Sequence, residues 1–277
     1  LAFQPGGGVL KEVRGFLIDL DGVIYTGDKP VVGADAAIRS LEENGYSYRF
    51  VSNTTRKCRH AIAEKLSRIG LQISEEDIFT PAVAAAAYLK KTKKRRFRLL
   101  VTGDVDRDFP HEVPEAVHDP IDCVILGDAG DEITYKSLNT VFRDLMEGAE
   151  LIALEKDRFW MAPDGLALSA GPFISALEFA TGKKAILMGK PSKAFFDLAL
   201  RDLDLCHDQA AMIGDDIQTD IGGAQEAGMR GILVKTGKYR EDIVRKSPVR
   251  PDLTIDSIAD ISEVLNAAQK NRWSRLT

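Results

Sequence analysis

The sequence predicts an α/β fold built on a doubly wound parallel sheet. Apolar runs and amphipathic helical stretches alternate from about residue 15 onwards. The apolar runs are continuous, not alternating with polar residues, as strands buried on both faces require. Polar clusters recur where such a run gives way to the next helical segment, the usual place for chemistry in an open α/β sheet.

The elements follow in order. Residues 15–20 (GFLIDL) form the first buried strand. Ala34, Ala37, Ile38 and Leu41 recur at helical spacing, and Gly45 ends that helix. Residues 48–51 are a second strand, and Ala61, Leu66 and Ile69 mark a helix closed by Gly70. Thr80 and Pro81 suit the N-cap and first position of an alanine-rich helix. Strands are then expected at 99–101, 123–126 and 151–154, and helices at 135–146 and 173–180. A strand at 185–188 precedes a helix at 195–203 capped by Ser192. A strand at 210–214, a helix to Ala227, a strand at 231–234 and a last helix at about 258–268 complete the pattern.

With 277 residues the chain has room for one large domain or two modest ones. Hydrophobic residues at 44% and charged residues at 29% are ordinary for a globular protein. The net charge of -5 gives no polyanion bias, so nucleic acid is not an expected partner. No apolar run nears the roughly 20 residues that span a bilayer, so no membrane partner is expected. Cys58, Cys123 and Cys206 are sparse and odd in number, which argues against a disulfide framework and for a reducing, cytoplasmic setting. Residues 1–8 read as a tail. The four histidines show no metal-ligand spacing, and the basic run Lys90 to Arg96 reads as a solvated helix end.

Four polar clusters carry the candidate chemistry. Asp19 and Asp21 flank the end of the first strand, and two carboxylates so close repel unless a cation or shared proton intervenes. Ser52, Asn53 and Thr54 follow the second strand, where hydroxyl and backbone N–H groups suit a phosphate. Lys190 stands between a strand and a Ser-capped helix, where an ammonium offsets developing phosphate charge. Asp215, Asp216 and Asp220 follow the strand at 210–214 and supply hard oxygen ligands for magnesium. Singly, each cluster also reads as a turn, a helix cap or a surface lysine. Together and in this order they match what a phosphate and a cation need.

The segments GFLIDLDGVIYTG, FVSNTT, GKPS and MIGDDIQTDIGGAQEAGM resemble the four motifs of the haloacid dehalogenase (HAD) superfamily. The chain is similar to subfamily IIA, the NagD-like and 4-nitrophenylphosphatase-like group. DGLALSAGPFISALEFATG and GILVKTGKYR resemble its phospholysine phosphohistidine inorganic pyrophosphate phosphatase branch. The resemblance implies a Rossmann-like HAD core, residues 1–92 and 189–277, with an inserted α/β cap domain at 93–188. It implies a phosphatase with Asp19 as nucleophile and Asp21 as general acid and base. Ser52, Asn53, Thr54 and Lys190 would bind the phosphate. Asp19, Asp21 and Asp215 would hold Mg2+, with Asp216 and Asp220 in support. A small phosphate ester is the implied substrate, and cap-mediated homodimers occur among such proteins.

Two departures stand out. Asp21 is present where some relatives in that branch carry Ser, and LEKDRFWMA at 154–162 lacks the Asn-Pro-Asp of the wider group. Arg158, Phe159 and Trp160 there either face a substrate or pack the cap. A phosphoramidate or pyrophosphate phosphatase, a phosphate-binding scaffold with little turnover, a phosphotransferase and a dehalogenase are the rival readings.

Overall fold

The computed structural model describes residues 10–110, 120–162 and 164–273. The tail expected at 1–8 and two histidines, His111 and His118, lie outside them.

The first apolar run forms β1 (Gly15–Asp19), buried throughout. A tight hairpin of β2 (Tyr25–Thr26) and β3 (Lys29–Pro30) leads to α1 (Ala34–Glu43) and β4 (Ser47–Val51). Then come α2 (Arg59–Arg68), the short β5 (Ile78–Phe79) and α3 (Pro81–Thr92). The middle of the chain supplies β6 (Phe97–Leu100), β7 (Cys123–Leu126), α4 (Tyr135–Met146) and β8 (Glu150–Ala153). A hairpin of β9 (Phe159–Ala162) and β10 (Gly165–Leu168) precedes α5 (Ala170–Thr181) and β11 (Ile186–Leu187). The last part holds α6 (Lys193–Asp202), β12 (Ala210–Gly214), α7 (Gly223–Ala227) and β13 (Arg230–Val234). It ends with α8 (Glu241–Lys246), β14 (Leu253–Ile255) and α9 (Ile261–Trp273).

These strands make two main sheets. Six strands run in the order β14-β13-β12-β1-β4-β5, and four in the order β11-β8-β7-β6, the latter parallel throughout. Phe16, Leu17 and Ile18 of β1 have no exposed surface, and the neighbouring β12 is likewise buried. Each such large side chain is worth about 1.5–3 kcal/mol of burial. By contacts the chain divides into two compact units. One comprises Leu1–Ser52, Ala63–Ile78 and Ala199–Thr277; the other comprises Asn53–Ile62 and Phe79–Leu198. In the second, α4 and α5 pack Val141, Leu145, Ile174 and Leu177 against Val124, Leu126 and Leu151 of the four-stranded sheet.

Local signals account for the helix ends. The Thr80 hydroxyl accepts the N–H of Val83, with Pro81 in the first turn, as the sequence predicts. The Ser192 hydroxyl likewise accepts the N–H of Phe195. The basic run closes α3: Lys93 turns left-handed at φ 58°, Lys94 lies 3.3 Å from Glu150, and Asp122 accepts the N–H groups of Arg95 and Arg96. No described helix is long and apolar enough to cross a membrane.

At the far edge of the six-stranded sheet Asp252 accepts hydrogen bonds from the Gly231 N–H at 2.9 Å, Gln225 Nε2 at 2.9 Å and Arg230 Nη1 at 3.1 Å. Burial pushes its carboxyl up, but these donors outweigh burial and hold it below the ordinary carboxylate range. A depressed folded-state pKa gives stability that is present above the unfolded value and lost as pH falls through the folded one. Asp252→Ala is therefore expected to cost about 1–3 kcal/mol at neutral pH. The difference from wild type should shrink below about pH 4, read by urea unfolding at both pH values.

Candidate active site

Strand ends decide where the acidic residues gather. Asp19 ends β1, Asp215 follows β12, and the two strands are neighbours, with Ile18 opposite Ile213. The strand order reverses here: successive strands run outward through β4 on one side and β13 on the other. Open α/β sheets form a crevice outside the carboxyl ends of such a strand pair.

Asp220 arrives by a different route. After β12 the chain winds through a wide π-helical turn, Ile217–Gly222. The N–H groups of Asp220 and Ile221 both donate to the Asp216 carbonyl, at 3.1 and 3.2 Å. The Asp216 carboxylate caps the turn by accepting the N–H groups of Gln218 at 2.9 Å and Thr219 at 3.0 Å. The turn brings Asp220 against Gly214, where a Cβ would collide with its carboxylate.

One carboxylate oxygen from each of Asp19, Asp215 and Asp220 lies within 4.8 Å of the others. The three residues are 7%, 1% and 1% exposed. Asp215 Oδ2 accepts the Lys238 N–H at 2.6 Å, and Asp220 Oδ2 accepts the Asp216 N–H at 3.1 Å. The Oδ1 atoms of Asp215 and Asp220 are buried and accept no hydrogen bond among the described residues. Three ionised groups this close and this dry repel strongly. A set of converging carboxylate oxygens fits a hard divalent cation, which takes oxygen ligands by preference.

The surroundings make room for this group. Gly22, at φ 88°, and Gly237, at φ 57°, both flank Asp215, and a Cβ on either would strike Asp215 Oδ2. The Thr236 hydroxyl donates to the Gly22 carbonyl and ties the two loops together. Desolvation lowers the pKa of the Lys238 ammonium, yet attraction from Asp19, Asp215, Asp216 and Asp220 outweighs it and the group sits above the ordinary lysine range. Asp21 is exposed and its carboxylate is not in the three-membered group. Its turn closes through the Gly22 N–H, which donates to the Tyr25 carbonyl at 2.7 Å. Burial, then the charges of Asp21 and Asp19, push the Tyr25 hydroxyl well above its usual value.

In the other unit, two motifs far apart in sequence are joined directly. Asn53 Nδ2 donates to the Lys190 carbonyl at 3.0 Å, and the Lys190 N–H donates back to Asn53 Oδ1 at 2.8 Å. Lys190 is 6% exposed and Thr54 is half-buried; Ser52, which follows β4 and belongs to the first unit, is buried. The reciprocal amide pair fixes the backbone from which the lysine side chain springs.

Sequence reasoning placed Asp220 in a supporting role; the structure brings it into the carboxylate group itself. It did not single out Lys238, Thr236 or Gly237. They lie in the segment GILVKTGKYR, which carries part of the family resemblance, just after the strand β13 at the same sheet edge.

Comparison with known proteins gives this arrangement its class. Residues 16–113 match the family described as haloacid dehalogenase-like hydrolase, and residues 187–261 match a second HAD hydrolase-like family. The chain is 44% identical over 249 residues to haloacid dehalogenase-like hydrolase domain-containing protein 2 of Rattus norvegicus, covering 90% of this chain and 93% of that protein. The chain belongs to the haloacid dehalogenase-like hydrolases. Within them it falls in subfamily IIA, the NagD-like and 4-nitrophenylphosphatase-like enzymes, as a hydrolase of the phosphatase type. It is 38% identical over 272 residues to human phospholysine phosphohistidine inorganic pyrophosphate phosphatase, covering 94% of this chain and 97% of that one. The solved 4-nitrophenylphosphatase of Thermotoga maritima superposes with a TM-score of 0.82 at 25% identity, over 92% of this chain and 98% of that chain.

Gly214→Ala should displace Asp220 and weaken divalent-cation binding about 10–100-fold, measured by calorimetry. Unchanged affinity would show that Asp220 takes no part in holding the ion.

Proposed function

We propose that the chain is a magnesium-dependent phosphatase that hydrolyses a small phosphorylated metabolite through an aspartyl-phosphate on Asp19. The observation that carries this reading is the convergence of buried Asp19 with Asp215 and Asp220 at the sheet's switch point. Asp19, Asp215 and the Asp21 backbone would hold Mg2+, with Asp220 completing the acidic set. The ion supplies electrostatic relief for a carboxylate approaching a phosphate dianion.

The chain's own residues do the rest. An Asp19 oxygen attacks phosphorus as the bond to the leaving oxygen breaks, and Asp21 gives its proton to that oxygen. Asp21 then takes a proton from water; the water oxygen attacks phosphorus, freeing inorganic phosphate and restoring the Asp19 carboxylate. Ser52, Asn53 and Thr54 bind the phosphoryl oxygens, and Lys190 offsets their charge. The exposed position of Asp21 suits a group that exchanges protons with leaving group and water. The segment 93–188 acts as a cap that excludes water during the reaction.

A second reading, a phosphoramidate or pyrophosphate phosphatase, is supported by the name of the 38% identical human relative. Asp21 favours esters, whose alkoxide leaving groups need a proton.

Asp19→Asn should cut release of phosphate from 4-nitrophenyl phosphate by about 10³-fold or more while the protein stays folded. A variant with wild-type turnover would refute the nucleophile assignment. Chelation with EDTA should abolish wild-type activity and added Mg2+ restore it; turnover indifferent to EDTA would exclude the metal-assisted route. Ranking phosphate esters against phosphoramidates and pyrophosphate by kcat/KM decides between the two substrate readings.

A further inference from the structure

The loop that carries Asn53 and Thr54 continues into a feature that the proposed reaction does not use. Arg56 is fixed there from several sides. A Cβ on Gly103, at φ 74°, would collide with the Arg56 carbonyl, so the two backbones are in close contact. The residues after it are fastened down: Asp104 accepts the Cys58 N–H at 2.8 Å, and Asp108 accepts the Arg59 N–H at 3.0 Å. The side chain is held as well. Its Nη1 lies 3.6 Å from Oδ2 of Asp128, and its guanidinium carbon stands 5.2 Å from the centre of the Trp160 ring on β9. Asp128 is itself buried and braced, its Oδ1 accepting the Gly130 N–H at 3.1 Å.

Arg56 is thus oriented on one edge by charge and on one face by an aromatic ring. Yet its guanidinium makes no hydrogen bond to any described residue, since 3.6 Å is too long for one. Other arginines of this chain spend their donors on the fold. Arg49 gives Nε to Asp202 at 2.7 Å and Nη1 to the Tyr48 carbonyl at 2.9 Å, and Arg98 gives Nε to Asp144 at 2.6 Å. Arg56 keeps a planar fork of five N–H donors, 43% exposed and already positioned. Such a fork matches two oxygens of a carboxylate or phosphate, and prior positioning lowers the entropy cost of binding one.

The geometry points to Arg56 as a specificity-determining residue that binds a second anionic group, a carboxylate or phosphate, on the leaving part of the substrate. The assignment rests on the phosphatase reading for the first group, the phosphoryl bound by the same loop. Asp128 offsets part of the arginine charge, so the fork selects by its donors as well as by net attraction.

The test compares three substrates: ethyl phosphate, with no second anion; phosphoglycolate, with a carboxylate; and pyrophosphate, with a second phosphate. Arg56→Ala should raise KM for phosphoglycolate, pyrophosphate or both at least about tenfold, and move KM for ethyl phosphate less than about twofold. Which of the two responds identifies the anion. Arg56→Lys should recover only part of the loss, because an ammonium lacks the fork. Equal changes on all three substrates would mean that Arg56 only braces the loop, and would overturn the assignment. Should wild type hydrolyse none of the three, 4-nitrophenyl phosphate turnover still tests the phosphatase reading separately. Calorimetry with phosphoglycolate and pyrophosphate then decides the anion site: binding at least about tenfold weaker in Arg56→Ala supports it, and equal or absent binding in both proteins overturns it.

Discussion

Repulsion among three buried carboxylates is the constraint around which one end of the six-stranded sheet is organised. Asp19, Asp215 and Asp220 bring oxygens within 4.8 Å of one another in a place almost without solvent. Nothing in the folding of a sheet requires this, and electrostatics opposes it. The neighbouring features are legible as responses to that cost. Glycines at 22, 214 and 237 remove side chains that would collide with the carboxylates. Backbone N–H groups of Asp216 and Lys238 each satisfy one oxygen, and the Lys238 ammonium adds positive potential. The burial of β1 and β12 supplies the stability that lets so unfavourable a cluster persist.

The second unit solves a complementary problem. The groups proposed there to meet a phosphate need donors that are already in place. The Asn53 side-chain amide grips the Lys190 backbone N–H and carbonyl, which holds the lysine stem still. Arg56 is steadied by Asp128 and Trp160 at distances that leave its N–H groups unspent. In both cases orientation is set beforehand by the fold, the condition under which electrostatic groups are most effective.

The continuous apolar runs of β1 and β12 were readable because strands covered on both faces have no polar alternation to confuse them. Thr80-Pro81 was readable because capping is local chemistry. The hairpin β9–β10 was not recognised. Its pattern places Phe159, Met161, Leu166 and Leu168 on one face, all more than half exposed, against the rule by which apolar positions signal a core. Two other strands, β5 and β14, have two and three residues, too few for any period to show, and the six-residue α8 is little more than one turn and a half. At the site, Asp19 and Asp215 follow from strand ends. Asp220 depends on a π-helical turn that spacing does not reveal, and Asn53 reaches a backbone carbonyl whose owner lies in a distant segment. Lys238 contributes its main-chain N–H, a group every residue but proline has.

The sheet register has one more implication. On its two sides β1 pairs with β4, made soon afterwards, and with β12, which places Ala210 beside Gly15. While the chain is being synthesised, the strand bearing Asp19 therefore waits with one edge bare until β12, whose Ala210 lies 195 residues beyond its partner Gly15 (210 − 15), has emerged. Everything between must form or be shielded meanwhile, so birth on the ribosome exposes an apolar strand edge for longer than refolding of the finished chain does. The same delay keeps Asp215 and Asp220 away from Asp19 until the flanking sheet is there to hold them.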